Sequence, residues 1–254
     1  MRIESGRLPP LPAARGSRWS AVAIALALIT IAGAYAWREH GIDLRLVRTD
    51  PARILSDAKL LARAVDHGRS LYGEHCATCH GAALEGSSVR GTPNLGNNVW
   101  LYASDPVNVE HTILYGIRSG HPKARNLTDM PALVRSGQIS ADDARDVVEF
   151  LESLAGARYD VPAAQRGRIV YNTTGNCFDC HASDARGVTD YGAPALTGPT
   201  WLYGGDRQTL YESILNGRHG ICQAWIGKLT PLQVRSLMLY LVTAPRVARS
   251  GARG

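Results

Sequence analysis

Two cysteines three positions apart, followed at once by histidine, occur twice in this chain, as Cys76-Ala-Thr-Cys79-His80 and Cys177-Phe-Asp-Cys180-His181. On a helical turn, residues i and i+3 share a face and the next residue lies alongside. Both sulfurs can therefore form thioethers to one edge of a flat macrocycle, while the imidazole reaches its metal. The spacing predicts two covalently attached c-type haems, with His80 and His181 as proximal iron ligands. A zinc site would need its cysteine pairs much closer in sequence, and a dithiol redox motif would need a βαβ context that is missing.

A chain of 254 residues that is 45% apolar holds two small domains plus an anchor. Domains this small bury little surface of their own, so a haem at each centre supplies much of the core. Trp19 to Trp37 carries no charge between Arg18 and Arg38. It is long enough to span a bilayer, with a tryptophan at each edge. Arg2, Arg7, Arg15 and Arg18 against Glu4 precede it, whereas residues 38–50 balance their charges. Basic residues stay inside, which directs the haem domains outward, to the periplasmic side of a bacterial inner membrane. Ala34-Tyr-Ala36 offers the alternative of a cleaved signal peptide; the length of the apolar run and the bulk of Trp37 favour a retained anchor. The net charge of +6 is spread along the chain without a basic block, which gives no sign of nucleic-acid binding.

Cys76/Cys177, His80/His181, Pro93/Pro194, Trp100/Trp201, Asp105/Asp206 and Leu114/Leu215 are each separated by 101 positions, so two homologous modules stand in tandem. Each reads as three helices. In the first, Ser56 is expected to cap a helix with the stripe Leu60, Leu61, Ala64, Val65, Gly68, Leu71 and Tyr72. Asp105-Pro106 opens a second helix, and Ser140 with Asp143 forms a capping box for a third. The second module repeats the plan, with Asp206 and Thr230-Pro231-x-Gln233 opening its later helices. The expected layout is a cytoplasmic N-terminus at 1–18, a transmembrane helix at 19–37, a linker at 38–55, domains at 56–158 and 162–245, and a frayed basic tail at 246–254. The fold class is all-α. The modules resemble class I cytochrome c, in which the N- and C-terminal helices cross beside the haem, and Gly68/Tyr72 and Gly167/Tyr171 suit such a crossing. Pro93 and Pro194 match the loop whose proline carbonyl orients the proximal histidine in that class.

Met130, in a loop ahead of Pro131, is expected as sixth ligand of the first haem by likeness to class I cytochromes c, whereas Met238 belongs to an apolar helical stripe. The second module has Cys222-Gln223-Ala224 where the first has Met130-Pro131-Ala132. Three outcomes stay open there: Cys222 ligates as thiolate, His219 takes the position, or the position is open. A thioether favours Fe(II) and a thiolate Fe(III), so the haems should be electronically unequal.

Gly116-Ile-Arg-Ser-Gly120 leading to Asp129-Met-Pro-Ala132, and Trp201-Leu-Tyr-Gly-Gly-Asp206 leading to Gly217-Arg-His-Gly220, resemble the dihaem subunit III of cbb3-type cytochrome c oxidases. That resemblance implies electron transfer from a donor cytochrome or membrane dehydrogenase complex to a monohaem cytochrome subunit and a haem-copper catalytic subunit, with no catalysis by this chain itself. Cys222-Gln223 departs from the Met-Pro pair of that family. A stand-alone dihaem carrier, or a thiosulfate-oxidising cytochrome using the Cys222 haem, are the alternative readings.

Overall fold

The computed structural model describes residues 18–97, 99–127 and 129–251. Among them are ten α-helices and no strand, only isolated bridges. They are α1 Arg18–Arg48, α2 Pro51–Ile54, α3 Ala58–His75, α4 Ala77–His80, α5 Pro106–Tyr115, α6 Ala141–Leu154, α7 Val161–Asn172, α8 Phe178–His181, α9 Arg207–Asn216 and α10 Pro231–Gly251. The chain divides into two units, residues 1–45 and residues 46–254.

The first unit holds most of α1. Within its stretch Ser20–Arg48, the most apolar 18 residues have a mean hydropathy of 1.9 and none of them is buried within the protein. By length and composition this helix can cross a membrane, with the expected span 19–37 as its apolar part. The expected cytoplasmic segment falls almost wholly outside the described residues.

In the second unit, local sequence sets each helix start. Asp57, rather than Ser56, caps α3, its carboxylate accepting from the Lys59 and Leu60 amides at 3.1 Å. Asp is as good a cap as Ser, and Ser56 is occupied by the Arg53 carbonyl. Asp105 and Asp206 cap α5 and α9, and the reciprocal Ser140–Asp143 box opens α6. Thr230 and Gln233 exchange the same pair of bonds at α10. That helix continues to Gly251 and takes in residues 246–251 of the expected tail. Its arginines and alanine are strong helix formers. The last expected tail residues, 252–254, are outside the description.

The helices pack across the two modules. α3 lies against α10, and α7 against α6; α10 also meets α5, and α6 meets α9. A class I module would close its own N-terminal helix with its own C-terminal helix. Here each module's last helix covers the first helix of the other. The cause lies in the connection: only residues 155–160 separate α6 from α7. A link that short folds consecutive helices back on each other as an antiparallel pair. Glu149 fastens it, accepting from the Asp160 amide at 2.7 Å and pairing with Arg207. Once α6 is spent on α7, α10 remains to cover α3. One core accordingly draws Val147, Val148, Phe150 and Leu151 from the first module and Val170, Tyr171, Leu210 and Ile214 from the second. Met238 is fully buried in α10, as its stripe position predicts.

Gly68 and Gly167 stand at the two crossings. A Cβ on Gly167 would overlap the Asp146 carbonyl of α6, and one on Gly68 the Ser236 carbonyl of α10. Backbone cannot yield as a side chain can. Gly167→Ala is therefore expected to destabilise by about 3 kcal/mol, the upper part of the overpacking range. Gly73→Ala, on an open face of α3 with no atom near the added carbon, is expected instead to stabilise by about 0.5–1 kcal/mol. Thermal melts of both variants compare the two; equal melting temperatures would contradict the tight crossing.

Candidate haem sites

Each Cys-x-x-Cys-His motif ends a helix and turns a histidine inward. His181 is 8% exposed, and its Nδ1 lies 2.9 Å from the Pro194 carbonyl oxygen. His80 Nδ1 lies 3.2 Å from the Pro93 carbonyl oxygen. Burial pushes both imidazoles below their ordinary pKa, partly offset by these hydrogen bonds. A neutral ring donating from Nδ1 must keep the lone pair on Nε2, which is the atom needed at a metal. The residue after each histidine is tied down alike: the Tyr72 hydroxyl donates to the Gly81 carbonyl at 2.6 Å and that of Tyr171 to the Ala182 carbonyl at 2.8 Å.

Beside His181 is a cavity of about 360 Å³. Its wall includes Cys177, Cys180, Trp201 and Arg218 of the second module, and Met130 of the first. Met130 thus faces the second haem site, where the sequence reading gave it to the first. Cys222 moves the opposite way. It lies with Cys76 and Cys79: burial first, then Cys222 and Cys79, push the Cys76 thiol up to about 12. Burial and then Cys79 raise the Cys222 thiol in turn. Burial also holds Cys177 up, to about 11.

A pair of two-residue bridges accounts for the exchange. Ile117 and Cys222 trade backbone hydrogen bonds at 2.9 Å each, while Met130 and Arg218 trade theirs at 3.1 and 2.9 Å. Ile117 and Arg218 are equivalent by the 101-residue repeat. The segment leaving each middle helix therefore pairs with a sulfur-bearing residue of the other module, and Met130 and Cys222 are equivalent in this backbone pairing. The Leu133 amide extends the pairing, donating to the Ile214 carbonyl at 3.0 Å.

His219 Nδ1 lies 2.8 Å from the Asp129 carboxylate, with more than half of the imidazole exposed, and His219 is not among the residues lining the His181 cavity. Cys222 has the Met130-like place in the backbone pairing. Arg218 was missed by the sequence reading. The signal was available, since it sits at the repeat position of Ile117, yet nothing in the chain marks that position as lining a cavity.

A cavity with two thiols on its edge, a neutral imidazole presenting Nε2 and a thioether among its wall residues has the donors a covalent haem requires. The family model for cytochrome c matches residues 65–155, and the model for subunit III of cbb3-type cytochrome c oxidase matches residues 162–241. The subunit FixP of a cbb3-type oxidase from Bradyrhizobium sp. (strain ORS 278) is 38% identical over 192 residues, which cover 75% of this chain and 64% of that one. The CcoP subunit of Azospirillum brasilense is 36% identical, covering 77% and 67%, and that of Cereibacter sphaeroides 32% identical, covering 82% and 70%. The chain belongs to the cbb3-type oxidase subunit III family. As a family member with two cytochrome c modules, it carries two covalently bound c-type haems. It spans about two thirds of the length of these CcoP and FixP relatives.

Proposed function

We propose that this subunit III homologue is a membrane-anchored dihaem electron carrier of a cbb3-type oxidase, fixed in the bacterial inner membrane by α1 with its haem modules on the periplasmic side. The observation that carries the reading is the paired site: two Cys-x-x-Cys-His motifs, each with its histidine oriented by a proline carbonyl, and a sulfur residue of each module bridged by main chain to the other. Haem, when bound, supplies one-electron Fe(III)/Fe(II) chemistry. In this reading Cys76, Cys79, Cys177 and Cys180 form the thioethers. His80 and His181 present Nε2 as proximal ligands. Met130 is the distal ligand at the His181 site, and Cys222 the distal ligand at the His80 site.

The ligand types order the two sites. The neutral thioether of Met130 favours the reduced state, and the anionic sulfur of Cys222 the oxidised state. Electrons entering from a donor cytochrome or membrane dehydrogenase complex rest preferentially at the His181 site. From there they pass to a monohaem cytochrome subunit and the haem-copper catalytic subunit. The arginines before α1 retain the N-terminal side in the cytoplasm.

The test is expression of the full chain in its own membrane, in a host competent for haem attachment. Mass spectrometry should show two haem additions, and affinity purification should bring down a haem-copper subunit. Spectroelectrochemistry should resolve two separate one-electron waves. A single wave of two-haem amplitude would contradict unequal ligation, and purification without any oxidase subunit would contradict the assignment to the complex.

A further inference from the structure

The ligand loops differ in length: Met130 follows Gly116 by 14 positions, whereas Cys222 follows Gly217 by only 5. Within the extra length Arg125 folds back beside α5. Its amide donates to the Gly116 carbonyl, and its carbonyl accepts from the Arg118 amide, both at 3.1 Å. The Arg125 Nε then donates to the Thr112 hydroxyl at 2.9 Å, with the guanidinium 4.6 Å over the Tyr102 ring. In the second module, Arg218 Nε donates to the Ser213 hydroxyl at 2.9 Å and its guanidinium lies 4.2 Å over the Tyr203 ring. Each hydroxyl is itself fixed, Thr112 donating to the Asn108 carbonyl at 2.9 Å and Ser213 to the Thr209 carbonyl at 2.8 Å.

The tyrosines and the hydroxyl residues obey the 101-residue repeat, but the arginines are 93 positions apart. The residue matching Arg218 in the repeat is Ile117. The same three-part arrangement is thus rebuilt around guanidinium groups of different backbone origin, which is unexpected for side chains that merely meet solvent. Arg218 also lines the largely apolar His181 cavity, as does Arg118, whose Nε donates to the Gly220 carbonyl at 2.6 Å. Of the carboxylates on that wall, Asp129 serves His219 and Arg118, and Asp179 accepts from the Asn176 amide group at 2.5 Å, which leaves neither to Arg218. Cations beside apolar walls call for an anion, and a planar fork of donors fits a carboxylate. A c-type haem brings two carboxylates, on the edge away from its thioether links.

We propose that Arg218 is the propionate-anchoring residue of the Cys177/Cys180 haem, and that Arg125 holds the same post for the Cys76/Cys79 haem. The inference rests on the dihaem reading above. Tyr stacking and the hydroxyl bond aim each guanidinium, and Arg125 is held further by its Nη2, which donates to the Asn108 carbonyl at 3.2 Å and side-chain oxygen at 2.7 Å and leaves Nη1 for the propionate; both arginines are positioning residues. A positive charge near iron disfavours Fe(III), and its loss also leaves a propionate charge unpaired. Both effects lower the potential of the haem concerned.

The experiment compares the full chain with Arg218→Gln and Arg218→Lys by spectroelectrochemistry and by the propionate-bending modes in resonance Raman spectra. The glutamine variant should lower the midpoint potential of the Met130-ligated haem, shift its propionate modes and leave the other haem unchanged. The lysine variant should recover the potential in large part, because it keeps the charge, while its Raman modes stay shifted because the fork is lost. Arg125→Gln should move only the Cys76/Cys79 haem. Propionate modes and potential unchanged in Arg218→Gln would overturn the proposal, as would unchanged modes in Arg218→Lys should the glutamine variant fail to accumulate. A native protein lacking its second haem would instead overturn the dihaem reading.

Discussion

Cys222→Met is expected to raise the midpoint potential of the haem on Cys76 and Cys79 by a few tenths of a volt, and to leave that of its neighbour near the native value. Axial ligands move haem potentials over about 0.8 V, and exchange of an anionic sulfur for a neutral one is among the larger steps available. For a one-electron couple each ~59 mV is tenfold in equilibrium constant, so a shift of this size changes the partition of an electron between the haems by several powers of ten. The structure supports a clean substitution. Cys222 trades both backbone hydrogen bonds with Ile117 just as Met130 does with Arg218, so the segment is fixed by main chain whatever its side chain. The Cys222 thiol is pushed up by burial, and without ferric iron it stays protonated. Its thiolate therefore depends on the charge of the metal, and Cys222→Ser should weaken ligation outright. Redox titration of the full chain reads the result; a potential unmoved by Cys222→Met would remove Cys222 from the iron.

Met130→Ala should have the second large effect, and its location is the informative part. The side chain belongs by sequence to the first module but lines the cavity of His181. Loss of the thioether should turn the ferric Cys177/Cys180 haem from low to high spin and lower its potential, because the ligand that favours Fe(II) is gone. The Cys76/Cys79 haem should keep its native spectrum. The helices point the same way: α6 is packed on α7, so the first module cannot close its own N-terminal helix. A change of spin state confined to the Cys76/Cys79 haem would contradict the exchange.

Much of the site was legible in the residues themselves. The motif spacing marks the haem edges, and the proline carbonyls fall where the loops of class I cytochromes c place them, on His80 and His181. Caps at Asp105, Ser140, Asp206 and Thr230 are local chemistry and open their helices as expected. Which helix covers which was not legible from the stripes. Val147 and Leu151 of α6 present much the same apolar chemistry as Leu237 and Leu241 of α10, and either pair fits the glycine face of α3 or α7. The repeat identifies modules without saying whether each closes on itself. The deciding quantity was the short link at 155–160, a length rather than a side-chain type. The match between Arg125 and Arg218 was hidden for a related reason, because it is spatial and breaks the register of the repeat.

The most direct test removes one haem and asks what remains. In Cys177→Ala/Cys180→Ala the second attachment site is lost, leaving the haem on Cys76 and Cys79 with Met130 and Cys222 both still in the chain. Electron paramagnetic resonance of the ferric protein should then show a single low-spin species with the narrow anisotropy of thiolate ligation, abolished by a further Cys222→Ser change. A His/Met signal from that lone haem, persisting without Cys222, would contradict the exchange of distal ligands between the modules.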